Sequence, residues 1–457
     1  MDHQQIEDAL AAASAALETG NQYAAFAAIA PLEAVADQDP EAAAAVLALW
    51  RLAPGRAGLV DAVGALLERW HDDPTLVTRG CDALIRAAER TAPDEPLPAD
   101  GPGKRAAEAA SHCLEALASR LDPAMRGYLL INLANGLRLA REHDAALEAF
   151  EQALELDPER GAWWFNLGLL HKARRDFEAG LSANRRAREL LGDDKGVLWN
   201  LAICATACGK GDAAAEAFRA MGHDARVNEA GMPYVEGLPP AQVRVATIGS
   251  GLGPEGQVPG NAVALELLWV TPISPIHGVL SSATYRDASV DYGDLVLWDG
   301  LPVDVVEHEG RPVPRFPLLS VLRRGDEHRF RFVALQQEAG DVAAFGDKLP
   351  GGARMFIHRE ALEALSRDES GGPPERREIQ APEQHRLVYG KIVVPGSTEL
   401  KAFRVALEGL QAEHPRIQLV MPGLYEAVED SPAAGKAHQM WRGLERTGGK
   451  RRLHVQG

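Results

Sequence analysis

The sequence is poor in cysteine, in aromatic residues and in positive charge, and each shortage excludes a class of protein. Four cysteines in 457 residues, Cys81, Cys113, Cys204 and Cys208, are too few and too scattered for a disulfide framework. Cys204 and Cys208 share a helix face four residues apart, but no histidine or further cysteine follows, so they read as small buried residues at a helix contact. Acidic residues outnumber basic ones, 65 to 48, and most of the net charge of −17 falls before the middle of the chain. A surface of that sign repels nucleic acid and anionic membrane. No run approaches the roughly 18 apolar residues of a membrane span, and the opening MDHQQIEDAL has neither the basic nor the apolar part of a secretion signal. The expected location is the cytoplasm. Gly-x-Ser-x-Gly elbows, His-Glu-x-x-His helices and phosphate-binding loops are missing as well, which leans the reading away from an enzyme.

What the sequence does contain is repetition. Asn132-Leu133-Ala134, Asn166-Leu167-Gly168 and Asn200-Leu201-Ala202 recur with a spacing of 34. That is the period of a helix-turn-helix unit that buries its apolar face only by stacking on its neighbours. In this register Leu130, Trp164 and Leu198 precede each triplet. Ala146, Gly180 and Ala214 supply small residues fourteen positions after each Asn, and Phe150 and Phe218 take the large apolar position of the second helix. Together with Ala153, Ala187 and Pro158 these residues resemble the tetratricopeptide-repeat pattern, over about 100 residues from Gly127 to Arg226. His171 and Asn184 depart from it where a tyrosine and a large apolar residue are usual, so looser packing is expected in the middle unit.

Asp-Pro pairs at Asp39-Pro40, Asp73-Pro74, Asp122-Pro123 and Asp157-Pro158 extend the array toward the N-terminus and read as the closing signals of helical stretches. The longest interval between them holds a Pro/Gly/Asp insertion at residues 91–104. Five or six helix pairs are expected over residues 1–227. The rest divides into a linker at 228–241, a β-rich domain at 242–367, a flexible loop at 368–385, a βαβα subdomain at 386–447 and a basic tail at 448–457. The fold class is therefore multidomain: an all-α solenoid followed by a β-rich α+β region. Its strands include VRVATI, VALELLWV, GDLVLWD, PVDVVEH, RFRFVAL and ARMFIH, and the helix TELKAFRVALEGLQAEH is expected to be capped by Ser397 or Thr398.

Three groups of residues are candidates for chemistry. Gly251, Gly253 and Gly256 satisfy the spacing of a dinucleotide-binding loop, but Pro254 sits inside it and no clear helix comes after it, so a plain loop is preferred. Asp287, Asp291, Asp294 and Asp299 fall within thirteen residues and are candidates for a cation site or an acid–base pair, although turn chemistry explains aspartates beside glycines. His277 lies in TPISPIHG, read as an irregular loop, and joins them in a reading of the C-terminal region as a hydrolase-like or ligand-binding module. No cofactor and no metal is implied by any of these spacings.

The resemblance to tetratricopeptide repeats implies a concave groove lined by the first helix of each pair. Its positions here are Ile131, Phe165 and Trp199, then Asn135, Leu169 and Ile203, with Arg138 and Lys172 nearby. An apolar lining of this kind favours an apolar helix or extended segment over the terminal carboxylate that chaperone-binding members clamp. Trp163 and Trp164, being adjacent, cannot face the same way, so at least one belongs to the core. The expectation is a bacterial-type cytoplasmic adaptor that binds a protein partner through the groove, with the β-rich module as a second surface. The alternative occupant of the groove is the chain's own C-terminal domain, and a third possibility is end-to-end stacking of repeats between copies.

Overall fold

A computed structural model describes the chain except residues 1–2, 92–94, 96, 249–251, 254–255, 258–262, 285–287, 339, 359–361, 367–374, 380–386 and 454–457. For residues 246–248, 252–253, 256–257, 263–264, 362–366, 375–379 and 445–453 only the backbone is described. Two compact units divide at Tyr234 and Val235.

The first unit holds, among the described residues, twelve helices: α1 (His3–Glu18), α2 (Gln22–Glu33), α3 (Pro40–Leu52), α4 (Leu59–Arg69), α5 (Pro74–Ala88), α6 (Pro102–Ala116), α7 (Pro123–Leu139), α8 (His143–Leu156), α9 (Gly161–Arg174), α10 (Phe177–Leu191), α11 (Lys195–Ala207) and α12 (Gly211–Ala220). They form six pairs in a helical-repeat stack. The starts of α3 and α5 lie 34 apart (74 minus 40), as do those of α9 and α11 (195 minus 161).

Three of the four Asp-Pro pairs open helices rather than only closing them. The carboxylates of Asp39, Asp73 and Asp122 accept backbone N–H groups of the first turns of α3, α5 and α7 at 2.8–3.3 Å, and the proline stands first in the helix, where no N–H is needed. Asp157 alone ends a helix, α8. The long interval falls between α5 and α6, where the insertion lies.

Within the stack, helices touch through bare backbone. A methyl group added at Gly136 would come within 2.7 Å of the Ala107 backbone nitrogen on α6, and one at Gly168 would meet the Asn184 side chain at 2.5 Å. Asn184 is fully buried and donates from Nδ2 to the Gly180 carbonyl at 2.7 Å. The middle unit is therefore not loosely packed: the glycine at 168 makes room for the asparagine that replaces the usual apolar residue. Trp163 lies in the core with Phe150, Ala146 and Leu130, while Trp164 is half-buried and its indole donates to the Pro158 carbonyl at 2.8 Å.

The stretch read as a linker is ordered. β1 (Ala225–Val227) and β2 (Pro233–Val235) pair, the Asn228 side chain accepts from the amides of Ala230 and Met232, and the Gly231 carbonyl lies so close to Gly211 of α12 that no side chain fits there.

In the second unit the strands are β3 (Ala241–Ile248), β4 (Leu252–Gly253), β5 (Gly256–Gln257), β6 (Val263–Ser274), β7 (His277–Leu280), β8 (Leu295–Trp298), β9 (Asp304–His308), β10 (Arg311–Arg323), β11 (His328–Gln336), β12 (Arg354–Ile357), β13 (Leu362–Ser366), β14 (Glu375–Ile379), β15 (Leu387–Val394) and β16 (Ile417–Val420). Strands β3, β6, β7, β8 and β10 close a five-stranded barrel, antiparallel except where β10 runs parallel to β3. Val243, Val245, Leu268, Val270, Leu280, Val296 and Trp298 fill it. β13 and β14 continue the sheet from β6, and β9 hangs from β10.

A second sheet has the order β12-β15-β11-β16. The helices of this part are α13 (Asp341–Gly346), α14 (Leu400–Glu413), α15 (Pro422–Ala427) and α16 (Ser431–Leu453). Phe332, Ile392 and Val394 pack with Phe345 of α13 and with Phe403 and Leu407 of α14; Val333 and Tyr389 pack with Ala437 and Trp441 of α16. α14 is capped by Glu399, whose carboxylate accepts from the amides of Lys401 and Ala402, rather than by Ser397 or Thr398.

Two boundaries read along the sequence do not survive pairing. β11 and β12 leave the proposed 242–367 domain to join β15 and β16, and β14 lies inside the stretch read as a loop, because an antiparallel partner can come from any distance along the chain. The Gly253 and Gly256 segment forms the β4–β5 pair, and the next strand, β6, returns antiparallel to β3; a dinucleotide loop needs a helix there and a parallel strand. Gly251 is outside the described residues.

The helix contacts generate a pair of opposite expectations. Gly136→Ala must displace backbone and should cost about 1–3 kcal/mol. Gly409→Ala, in α14 with open space around it, should stabilise its unit by about 0.5–1 kcal/mol. Urea unfolding of the full chain followed by hydrogen exchange in each unit reads both signs.

Candidate functional site

On the helical unit, the expected groove positions divide into two sets. Ile131, Asn135 and Ile203 are buried, so they line no open surface. Ile131 belongs to the core around Phe150 and Trp163. Asn135 accepts from the Arg138 guanidinium at 3.3 Å, and Arg138 lies 3.8 Å from Glu89 at the end of α5. Burial lowers the Arg138 pKa and Glu89 opposes the shift. Asn135 and Arg138, named among the groove residues, thus serve an internal link between α7 and α5.

Phe165, Leu169 and Lys172 on α9 and Trp199 on α11 are half-buried, and the indole nitrogen of Trp199 is enclosed. The Phe165 ring lies over the start of α11, 3.3 Å from where a side chain on Gly196 would begin. Trp199 meets Phe218 of α12 edge-on, with ring centres 6.0 Å apart. These positions come together because residues three and four apart share a helix face and the 34-residue period repeats that face on the next unit.

The aspartates of the second unit separate in a different way. Asp287 lies outside the described residues, and Asp299 sits at the end of β8 with its amide on the Pro317 carbonyl. Asp291 and Asp294, in the segment between β7 and β8, come together. The Lys391 ammonium, on β15 and 4% exposed, donates to Asp291 and to the Thr284 hydroxyl, the latter at 2.6 Å. Asp291 also accepts from the amides of Thr284 and Tyr292 at 2.9 and 2.8 Å. Asp294, 1% exposed, accepts from Arg324 at 2.7 Å, from the Gly325 amide at 2.9 Å and from Arg329 at 3.3 Å. Arg329 also donates from Nε and Nη2 to the Tyr292 carbonyl.

Cations of the chain itself therefore pair with two of the carboxylates named as candidates for a cation site or an acid–base pair. The segment is clamped to the second sheet through them. Among the described residues no group of three or more His, Cys, Asp or Glu side chains is placed to hold a metal ion. Sequence reasoning missed Lys391, Thr284 and Arg329. The available signal was the lysine itself, standing in the apolar strand LVYGKIVV. His358 stands near the clamp, and burial, then Lys391, hold its imidazole down to about 3.

His277 is not in a loop. It begins β7, directly after the tight turn Ser274-Pro275-Ile276, and is fully buried. Its Nδ1 lies 2.6 Å from the Ser274 hydroxyl, which also accepts the Ile276 amide at 3.3 Å, so the pair ties the turn. Paired with Leu297, it faces the same side of the sheet as that residue. Burial lowers its pKa to about 4. The cysteines are not activated either: burial raises Cys208 to about 11.

Two expectations arise from these contacts. Lys391→Met leaves the half-buried Asp291 without its cation and should cost about 3 kcal/mol, whereas Lys391→Met combined with Asp291→Leu should recover most of that loss in a double-mutant cycle. For His277, the unfolded chain binds a proton near pH 6.5 that the folded chain binds only near 4, so stability falls as the pH drops through that window. Its contribution is on the order of 3 kcal/mol. The difference in unfolding free energy between the unmodified chain and His277→Gln should vary between pH 7 and 4 and level off outside that range.

No family model matches the sequence, and no curated protein is similar to it. Among solved structures, the crystal structure of MamA overlaps the chain with 14% identity over 35% of this chain and 83% of that one, at a TM-score of 0.28. A second MamA, residues 41 to the end from Desulfovibrio magneticus RS-1, gives 18% identity over 38% and 93% at a TM-score of 0.28. A third MamA structure covers 48% of this chain and 91% of its own, with 13% identity and a TM-score of 0.22.

Proposed function

We propose that this protein is an interaction adaptor whose recognition surface lies on the first helices of the last two repeat units, α9 and α11. The observation that carries the reading is the partly exposed strip Phe165, Leu169 and Trp199, which lies at positions that are closed on α7. A partially exposed aromatic pair backed by a rigid stack is the arrangement in which a few anchors contribute most of a binding free energy. Lys172 at the end of the strip adds a positive charge, which suits an apolar helix or extended segment with an acidic flank. The β-rich unit supplies a second binding surface.

The site is narrower than the full groove, since the equivalent positions on α7 are closed. No helix among the described residues is long and apolar enough to cross a membrane.

A photo-reactive amino acid placed at Leu169 of the full chain tests this reading in cells. The expected product is a crosslink to a second polypeptide, and Phe165→Ala or Trp199→Ala should each weaken binding of that polypeptide by about 2 kcal/mol. Crosslinks confined to residues 235–457 of the same chain would show a self-occupied surface and overturn the proposal.

A further inference from the structure

Strand β9 is an open edge with a defined register. It ends in a two-residue turn, Glu309-Gly310, with φ of 50° and 74°, the left-handed pair that the tight hairpin into β10 demands. The register is His308 opposite Arg311, Val306 opposite Val313 and Asp304 opposite Arg315. With a two-residue turn the flanking pair His308 and Arg311 is hydrogen-bonded, and so is every second pair after it. Val306 therefore bonds inward to β10, and the N–H and C=O groups of Val305 and Glu307 point away from it. Pro312 and Pro314 fall at the intervening positions of β10, so they cost the hairpin nothing and leave its far edge without donors there.

Among the described residues β9 pairs with β10 alone. Val305 is 57% exposed and Leu301, just before the strand, is 75% exposed. Edges of this kind are ordinarily blunted by lysine or proline, and β9 carries neither, although its partner strand does.

We propose that β9 pairs antiparallel with β9 of a second copy of this chain, about a two-fold axis through Val306. In that register Val305 faces Glu307 of the other copy and each contributes both backbone groups, giving four hydrogen bonds across the axis. The two Val306 side chains meet at the centre. Asp304 stands opposite His308 of the other copy on both sides, where its carboxylate can accept a hydrogen bond from the imidazole while keeping its contact with Arg315 at 3.7 Å. His308 already packs against Trp269 with ring centres 5.0 Å apart, which holds it on that face. A parallel arrangement would set Asp304 against Asp304 and His308 against His308. The complementarity of the five residues DVVEH to their own reverse selects a second copy over an unrelated strand.

The experiment uses the full chain with single cysteines introduced on β9. Residues facing each other at a non-hydrogen-bonded pair have Cα atoms about 4.5 Å apart, within disulfide range. Val306→Cys should give a covalent dimer under mild oxidation, and Val305→Cys, which faces Glu307, should give at least tenfold less. Sedimentation at about 100 µM chain, a concentration suited to so small an interface, should show a dimer that Val305→Pro converts to monomer. That proline removes only an outward N–H, so the thermal transition should be unchanged; should it unfold, the cysteine pair still decides. A monomer at that concentration, a dimer indifferent to Val305→Pro, or equal crosslinking at 305 and 306 overturns the proposal.

Discussion

A helix pair of this repeat type cannot bury its apolar face by itself, and everything in the first unit depends on how closely the next pair can approach. The approach is set where backbone meets backbone, at Gly136 against α6, and where Gly168 leaves room for Asn184. A side chain at either place would push helices apart and open the core around Phe150 and Trp163. The same closeness decides which first-helix positions stay accessible. On α7 it covers Ile131 and Asn135; on α9 and α11 it leaves Phe165, Leu169 and Trp199 at the surface.

The second unit rests on a different constraint, the hydrogen-bonding of strands that are distant in sequence. β10 runs past three partners, β9, β3 and β8, and Pro312 and Pro314 stand where its hairpin with β9 requires no donor. Between β7 and β8 the chain leaves the barrel and returns with Asp291 and Asp294 fastened to Lys391, Arg324 and Arg329. The buried Lys391 finds its hydrogen-bond partners in Asp291 and Thr284, and Asp291 is held in turn by the amides of Thr284 and Tyr292, so the members of the clamp need one another.

The helical repeat was legible because its signals are local and periodic: the 34-residue recurrence of Asn-Leu triplets, and Asp-Pro pairs that mark helix boundaries, although they read as helix ends and three of them are helix starts. Helix geometry put at least one of Trp163 and Trp164 in the core; that it is Trp163 was decided by the packing. Legibility ended where a residue's role depends on its partner. Arg138 reads as a groove residue until Glu89 is placed beside it, and Asp291 stands as a candidate for a cation or acid–base site until Lys391 arrives from a strand 100 residues later. His277 reads as a loop residue because prolines surround it, yet Pro275 occupies the turn and His277 the first position of a strand.

By itself, then, the sequence determined the class of the first half, its period and the β-rich character of the second half, because propensity and periodicity act over a few residues at a time. Tertiary structure alone decided which strands close the barrel, which apolar residues of the repeats remain exposed and which charges neutralise each other. Those outcomes depend on contacts between segments far apart in the chain, and spacing within a segment carries no information about them.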